Sequence, residues 1–269
     1  MGTSMKDLAD IPLSTLRNVR AVLTDIDDTL TLHGQLPAVA YAALERLRDA
    51  GISVIPITGR PAGWCDLIAR LWPVDAVVGE NGAFYFRYER QQKKMQRFYA
   101  QDEVTRRNNS RKLFEIADEV LRNFPGTAIA SDQAYREIDV AIDFCEDVPP
   151  LPFATAQKIA DYFVARGAVA KVSSIHVNAW FGEHDKQSMS FRLLSEMFGW
   201  SKEIAEKSVA YCGDSPNDAP MFACFPLGVG VANIVPLLPL MAHQPAYVTL
   251  EEGGLGFAKF TDLLLAARR

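Results

Sequence analysis

Asp25 and Asp27 stand two residues apart at the end of an apolar run (Val19, Ala21, Val22, Leu23), within Val22-Leu23-Thr24-Asp25-Ile26-Asp27-Asp28-Thr29-Leu30. In extended chain that spacing lets both carboxylates face one substrate. Carboxylates gathered at a strand end repel each other and resist desolvation, so a fold that keeps them gains from a bound cation. The ligands on offer are oxygens, which favours a hard ion such as Mg2+ over zinc. A carboxylate beside Mg2+ can attack phosphorus and form an aspartyl-phosphate. The competing reading is a solvated acidic turn that opens a helix, since Asp is frequent at turns and N-caps. Asp-x-Asp by itself does not choose between them.

Three later segments do. Ile55-Pro56-Ile57-Thr58-Gly59-Arg60 closes another apolar run with a hydroxyl and a guanidinium. Lys186 opens an amphipathic helix behind the acidic turn Glu183-His184-Asp185. Tyr211-Cys212-Gly213-Asp214-Ser215-Pro216-Asn217-Asp218 again sets carboxylates after a short apolar strand. Nucleophile, hydroxyl, lysine and second acidic cluster, in that order, resemble the four motifs of the haloacid dehalogenase (HAD) superfamily. Asp25-x-Asp27-x-Thr29, Thr58, Lys186 and Gly213-Asp214-x-x-Asn217-Asp218 match it position for position, and the resemblance covers nearly the whole chain.

The resemblance implies that Asp25 attacks phosphorus, while Asp27 protonates the leaving oxygen and then activates water. Thr58 would donate to a phosphate oxygen, and Lys186 would neutralise charge building on the phosphoryl group. The metal candidates are Asp25, Asp214, Asp27 through its backbone carbonyl, and Asp218, the last better suited to supporting the ligands than to binding. Gly59, Arg60 and Asn217 are candidates for holding substrate, although Arg60 suits pairing with an acid equally well. Two positions depart from frequent family choices: Gln187 and Asp28 each stand where Gly is common.

Apolar runs alternating with helical periods on either side of the middle third predict a parallel sheet covered on both faces, with the site at the carboxyl ends of its strands. The expected class is α/β, a doubly wound Rossmann-like HAD core with an inserted α+β cap. The core is expected over 1–82 and 182–269, the cap over 83–181. The middle reads as a hairpin (Ala83–Tyr88 and Arg97–Tyr99), a long helix, a strictly alternating strand from Arg136 to Phe144, a helix near Thr155–Ala165 and a strand ending at Trp180. It resembles the C2-type cap of HAD subfamily IIB, a resemblance that also places a hinge at Glu80-Asn81-Gly82. In Ser174-Ile175-His176-Val177-Asn178-Ala179-Trp180, alternation puts Ile175, Val177 and Ala179 on one face and His176, Asn178 and Trp180 on the other. That second face either looks down at substrate or is simply solvated. His184 reads as a solvated turn residue.

The chain's 269 residues and 49% hydrophobic content suffice for a real core. A formal net charge of −5 argues against nucleic-acid or anionic-membrane partners. The four cysteines lack Cys-x-x-Cys spacing and read as reduced thiols, and no basic-then-apolar leader opens the chain, so cytoplasm is the expected compartment. Ala219 to Leu250 carries no charged residue, yet Pro220, Pro226, Pro236, Pro239 and Pro245 interrupt it too often for a spanning helix. The expected activity is Mg2+-dependent hydrolysis of a small phosphorylated metabolite, a sugar phosphate first and phosphoglycolate second. A phosphomutase and a Mg2+- and phosphate-binding signalling module without turnover are the alternatives.

Overall fold

The computed structural model describes residues 6–173 and 175–268. The chain begins with β1 (Lys6–Asp7), α1 (Leu13–Asn18), β2 (Ala21–Thr24), α2 (Ala38–Asp49), β3 (Ser53–Pro56), α3 (Ala62–Leu71) and β4 (Val77–Gly79). A hairpin of β5 (Phe84–Glu89) and β6 (Lys94–Tyr99) comes next. The inserted segment then runs through α4 (Glu103–Asn123), β7 (Ala128–Ile129), β8 (Val140–Asp143), α5 (Phe153–Val164), β9 (Val169–Val172) and β10 (His176–Trp180). The last third holds α6 (Lys186–Phe198), α7 (Lys202–Ser208), β11 (Val209–Gly213), α8 (Ala219–Cys224), β12 (Leu227–Gly230), β13 (Tyr247–Val248) and α9 (Gly253–Ala266).

Six strands form the core sheet in the order β1-β13-β12-β11-β2-β3, with every neighbouring pair parallel. β2 and β11 are central and buried on both faces, which is why they read as unbroken apolar runs rather than alternating ones. Thr24 pairs with Cys212, and the Asp25 amide donates to the Cys212 carbonyl at 2.9 Å. The two acidic motifs therefore leave the sheet side by side at its carboxyl edge. α2 buries Ala40, Ala43, Leu44 and Leu47 on one stripe, and Gly51 beyond its end takes a positive φ of 71°.

The inserted segment is a separate two-layer unit. Its sheet has the order β7-β8-β10-β9, antiparallel throughout. Leu113, Ile116 and Val120 of α4 and Ile159 and Phe163 of α5 pack on Val140, Ile142, Val177 and Ala179 of the sheet. The hairpin expected with this segment packs elsewhere. β5 pairs with β4, which bridges Ile57 of the core, and Phe84 and Phe86 are buried with Val54, Ile68 and Val77.

The alternating run from Arg136 also ends up shorter than its pattern. β8 starts only at Val140, because the amides of Glu137, Ile138 and Asp139 all donate to the Glu80 carboxylate instead of to a strand. Glu80 takes a fourth amide, that of Ala62 at the start of α3, so one buried carboxylate ties core helix to inserted segment. Burial and then Asp139 push its carboxyl up to about 8, against the pull of Arg136 and the amide donors. The two connections between the units cross here: a Cβ on Gly82 (φ +101°) would lie 2.0 Å from the Asp185 carbonyl oxygen. The uncharged stretch is divided among α8, β12, a 3-10 run at Ala232–Leu240 and β13. Among the described residues, no helix is long and apolar enough to cross a membrane.

Candidate active site

Asp25, Asp214 and Asp218 are buried and offer carboxylate oxygens within 4.8 Å of one another. Lys186 lies among them, its Nζ 2.8 Å from Asp25 Oδ1 and 3.0 Å from Asp218 Oδ1. Asp185 caps α6 through the Ser188 amide and fixes Lys186 in the first turn. A cation is disfavoured at a helix N-terminus, so these carboxylates are what hold the ammonium there. Burial, with help from Asp218 and Asp27 and against Lys186, lifts the Asp25 carboxyl up to about 7. Asp214 is also raised, by burial and then by Asp218 and Asp25, although the Thr29 hydroxyl donates to its Oδ1 at 2.9 Å. A divalent cation would relieve that repulsion, so Asp25 and Asp214 fit a hard metal ion.

Asp218 is differently employed. Its Oδ1 accepts from Lys186 and from the Tyr211 hydroxyl at 2.5 Å, and its Oδ2 from the amides of Asp214 and Ser215. Both of its oxygens are thus engaged, with Lys186, Tyr211 and two backbone amides. Gly213 makes this possible, since a Cβ there would come within 2.5 Å of Asp218 Oδ2.

Thr58 is fully buried, its Oγ1 accepting from the Arg60 amide at 3.0 Å, which leaves the hydroxyl proton to be donated. Asn217 Oδ1 accepts from Ser215 at 2.8 Å, and both residues line the cleft with Asp27, Gly59 and Arg60. Arg60 grips Asp27, with Nε 3.0 Å from each carboxylate oxygen and Nη2 2.8 Å from Oδ1. Arg60 thus pairs with an acid.

Across the cleft, His176 and Asn178 are buried and face the aspartates, so their side of β10 is not solvated. Asn178 Nδ2 donates to Asp139 at 3.0 Å, and His176 Nε2 lies 2.9 Å from Glu146 Oε2. The alternation holds only in part: Ile175 lines the cleft, while Trp180 turns away from it. Trp180 stacks on His184 with centroids 5.7 Å apart and donates its Nε1 to the His184 carbonyl. His184 is thus buried rather than in a solvated turn, and burial drives its imidazole down to about 4 against the opposing pull of Asp185. Such a group contributes stability above its ordinary pKa of 6.5, and the contribution is lost as pH falls toward 4. We expect about 2 kcal/mol to disappear across that window, and His184→Phe to flatten the change. Equal losses of thermal stability in wild type and variant between pH 7 and pH 4.5 would refute this.

Sequence reading missed Glu146, Asp132 and Arg136. Glu146 accepts from Arg60 at 3.2 Å, and His176 together with Arg60 holds its carboxyl down to about 2. Arg136 donates to Asp132, Asp139 and the Gly59 carbonyl, the last at 2.9 Å, tying the inserted segment to the Thr58 loop. Glu146 sits in a polar turn without periodicity, so nothing in the pattern separated it from solvated acids. The polar end of the cleft encloses about 20 Å3, room for about one water.

A central parallel sheet with these motifs at its carboxyl edge defines a class of enzyme. The sequence model of haloacid dehalogenase-like hydrolases matches residues 22–124. Two curated relatives are similar along almost their full length, both named phosphoglycolate phosphatase. That of Methanothrix thermoacetophila is 24% identical, over 93% of this chain and 98% of the relative. That of Pyrobaculum neutrophilum is 29% identical, over 92% and 96%. A crystal structure from Thermoplasma acidophilum shares the fold with a TM-score of 0.68 at 17% identity, covering 92% of this chain and 98% of that one. One described as a HAD subclass IIB sugar phosphatase gives 0.62 at 15%, covering 91% and 98%. Residues 22–124 are thus similar to haloacid dehalogenase-like hydrolases, nearly the whole chain is similar to two curated phosphatases, and its fold is that of the solved structures.

Proposed function

We propose that this chain is a Mg2+-dependent phosphomonoesterase acting on a small phosphorylated metabolite through an aspartyl-phosphate on Asp25. The observation that carries the reading is the Asp25 carboxylate, buried beside Asp214, held by Lys186 and set at the sheet edge facing Asp27. An Asp25 oxygen attacks phosphorus as the bond to the leaving oxygen breaks, and Asp27 hands that oxygen a proton. In the second half Asp27 takes a proton from water, whose oxygen displaces Asp25 and frees phosphate. To carry a proton, Asp27 must first leave Arg60. Thr58 and Lys186 hold the phosphoryl oxygens, and Asn217 and the Gly59 backbone border them. Asp25, Asp214 and the Asp27 carbonyl would hold Mg2+, which when bound offsets the charge gathering on phosphorus.

The same reading treats 1–82 and 182–269 as catalytic core, joined by the hairpin, and the segment after Tyr99 as a cap that opens and closes. A sugar phosphate is the first candidate substrate and phosphoglycolate, named for both curated relatives, the second. A phosphomutase would keep the phosphoenzyme for transfer, so phosphate release without a bisphosphate activator separates the two. Phosphate release from a panel of sugar phosphates and phosphoglycolate, with Mg2+ and with chelator, tests the proposal. Asp214→Ala should raise the Mg2+ needed for half-maximal rate by roughly 10–100-fold. An unchanged metal titration would remove Asp214 from the metal site.

A further inference from the structure

We infer that the alcohol released from the substrate is uncharged or carries an amine, and that Glu146 sets this preference by neutralising Arg60. The inference rests on the phosphatase reading above. The phosphoryl group has its own partners at Asp25, Lys186 and Thr58, so selectivity must come from the part of the cleft beyond Asp27.

That part is lined by two guanidiniums, and both are taken. Arg60 is held by Asp27, by Glu146 at 3.2 Å and by Asp132 at 3.7 Å, and it lies 4.4 Å from the centre of the Trp64 ring. Arg136, its side chain 1% exposed, is held by Asp132 at 3.1 Å and Asp139 at 2.9 Å. Four carboxylates (Asp27, Asp132, Asp139, Glu146) thus face two guanidiniums, and three still do when Asp27 carries the proton it gives to the leaving oxygen. His176 Nε2 occupies the other oxygen of Glu146 at 2.9 Å. Past Ser173 and Ser215 the cleft widens to about 500 Å3, walled by Leu32, Phe144, Phe153 and Leu237, and among the described residues no Lys or Arg lines it.

A second anion on the substrate therefore meets a carboxylate-rich rim, and even when Asp27 leaves Arg60 the guanidinium stays with Glu146 and Asp132. Moving a carboxylate into a partly buried, like-charged site is costly, whereas a hydroxyl can use Asn178, His176 and Ser173 with no such conflict. A cleft of this kind selects against acid-bearing leaving groups.

The test compares matched phosphomonoesters in the wild-type protein with Mg2+: ethylene glycol monophosphate against phosphoglycolate, and glycerol phosphate against phosphoglycerate. The neutral member of each pair should have kcat/KM higher by roughly tenfold or more. Glu146→Gln, which gives Arg60 back part of its charge, should shrink that ratio by roughly tenfold while the aryl substrate nitrophenyl phosphate changes far less. Equal rates within a pair, or faster hydrolysis of the acid, overturns the inference even where nitrophenyl phosphate is cleaved. An undiminished ratio in Glu146→Gln removes Glu146 as its cause. No hydrolysis of nitrophenyl phosphate at all would instead overturn the phosphatase reading, and this inference with it.

Discussion

Asp25→Asn is expected to lower turnover by roughly a thousandfold or more while leaving the fold in place. The change keeps the volume of the side chain and removes only its ability to attack phosphorus. It also takes away a carboxylate that burial already disfavours as an anion. Without added metal the variant should therefore melt no lower than wild type at pH 8, so lost activity cannot be blamed on lost structure. Phosphate release and thermal unfolding on the same preparation decide the matter. Ordinary turnover in the variant with Mg2+ present would end the covalent mechanism. A low rate accompanied by a collapsed melting curve would mean that Asp25 supports the fold.

Lys186→Met should damage both stability and activity. The ammonium is buried and bonds two carboxylates that are themselves buried. Removing it leaves Asp25, Asp218 and Asp214 facing one another with no internal cation, and breaking such a pair costs about 3–5 kcal/mol. Turnover should fall by roughly a hundredfold or more, since the charge that balances the phosphoryl group goes with it. Adding Asp218→Asn to Lys186→Met should restore part of the stability and none of the activity. Denaturant unfolding of the two single variants and the double variant measures this coupling. Strictly additive losses would show that the Lys186–Asp218 contact contributes little.

These expectations place the binding energy of the site unevenly. The phosphoryl end is built on rigid elements: the ends of β2 and β11, the Thr58 turn and the capped start of α6. The leaving-group end is built on turns of the inserted segment, tied to the core through Glu80, Arg60 and Arg136. Loops positioned by a rigid scaffold are where discrimination between substrates is ordinarily found. Arg60 touches both ends, bonding Asp27 within the core and Glu146 in the inserted segment.

The sequence by itself determined the core and the order of its reacting groups. Buried parallel strands must be continuously apolar, and each acidic motif follows such a run, so Asp25 and Asp214 were legible as neighbours at strand ends. Lys186 was marked by its place in the order of the motifs, and alternation put His176 and Asn178 on one face without deciding whether that face meets substrate or water. What only the tertiary structure decided is how charges pair across large sequence separations. Glu146 looks like any polar turn residue until Arg60 and His176 meet it, and Arg60 gives no sign of its partner. The family resemblance places Glu80 at a hinge, but its capture of three amides shortened the strand that alternation had drawn from Arg136. The same holds for His184, which was placed in water and lies buried against Trp180. Periodicity records which face of an element is apolar, because burial of carbon acts on every turn or pleat of it. A buried ion pair involves one residue from each of two distant segments, and leaves no repeat in either.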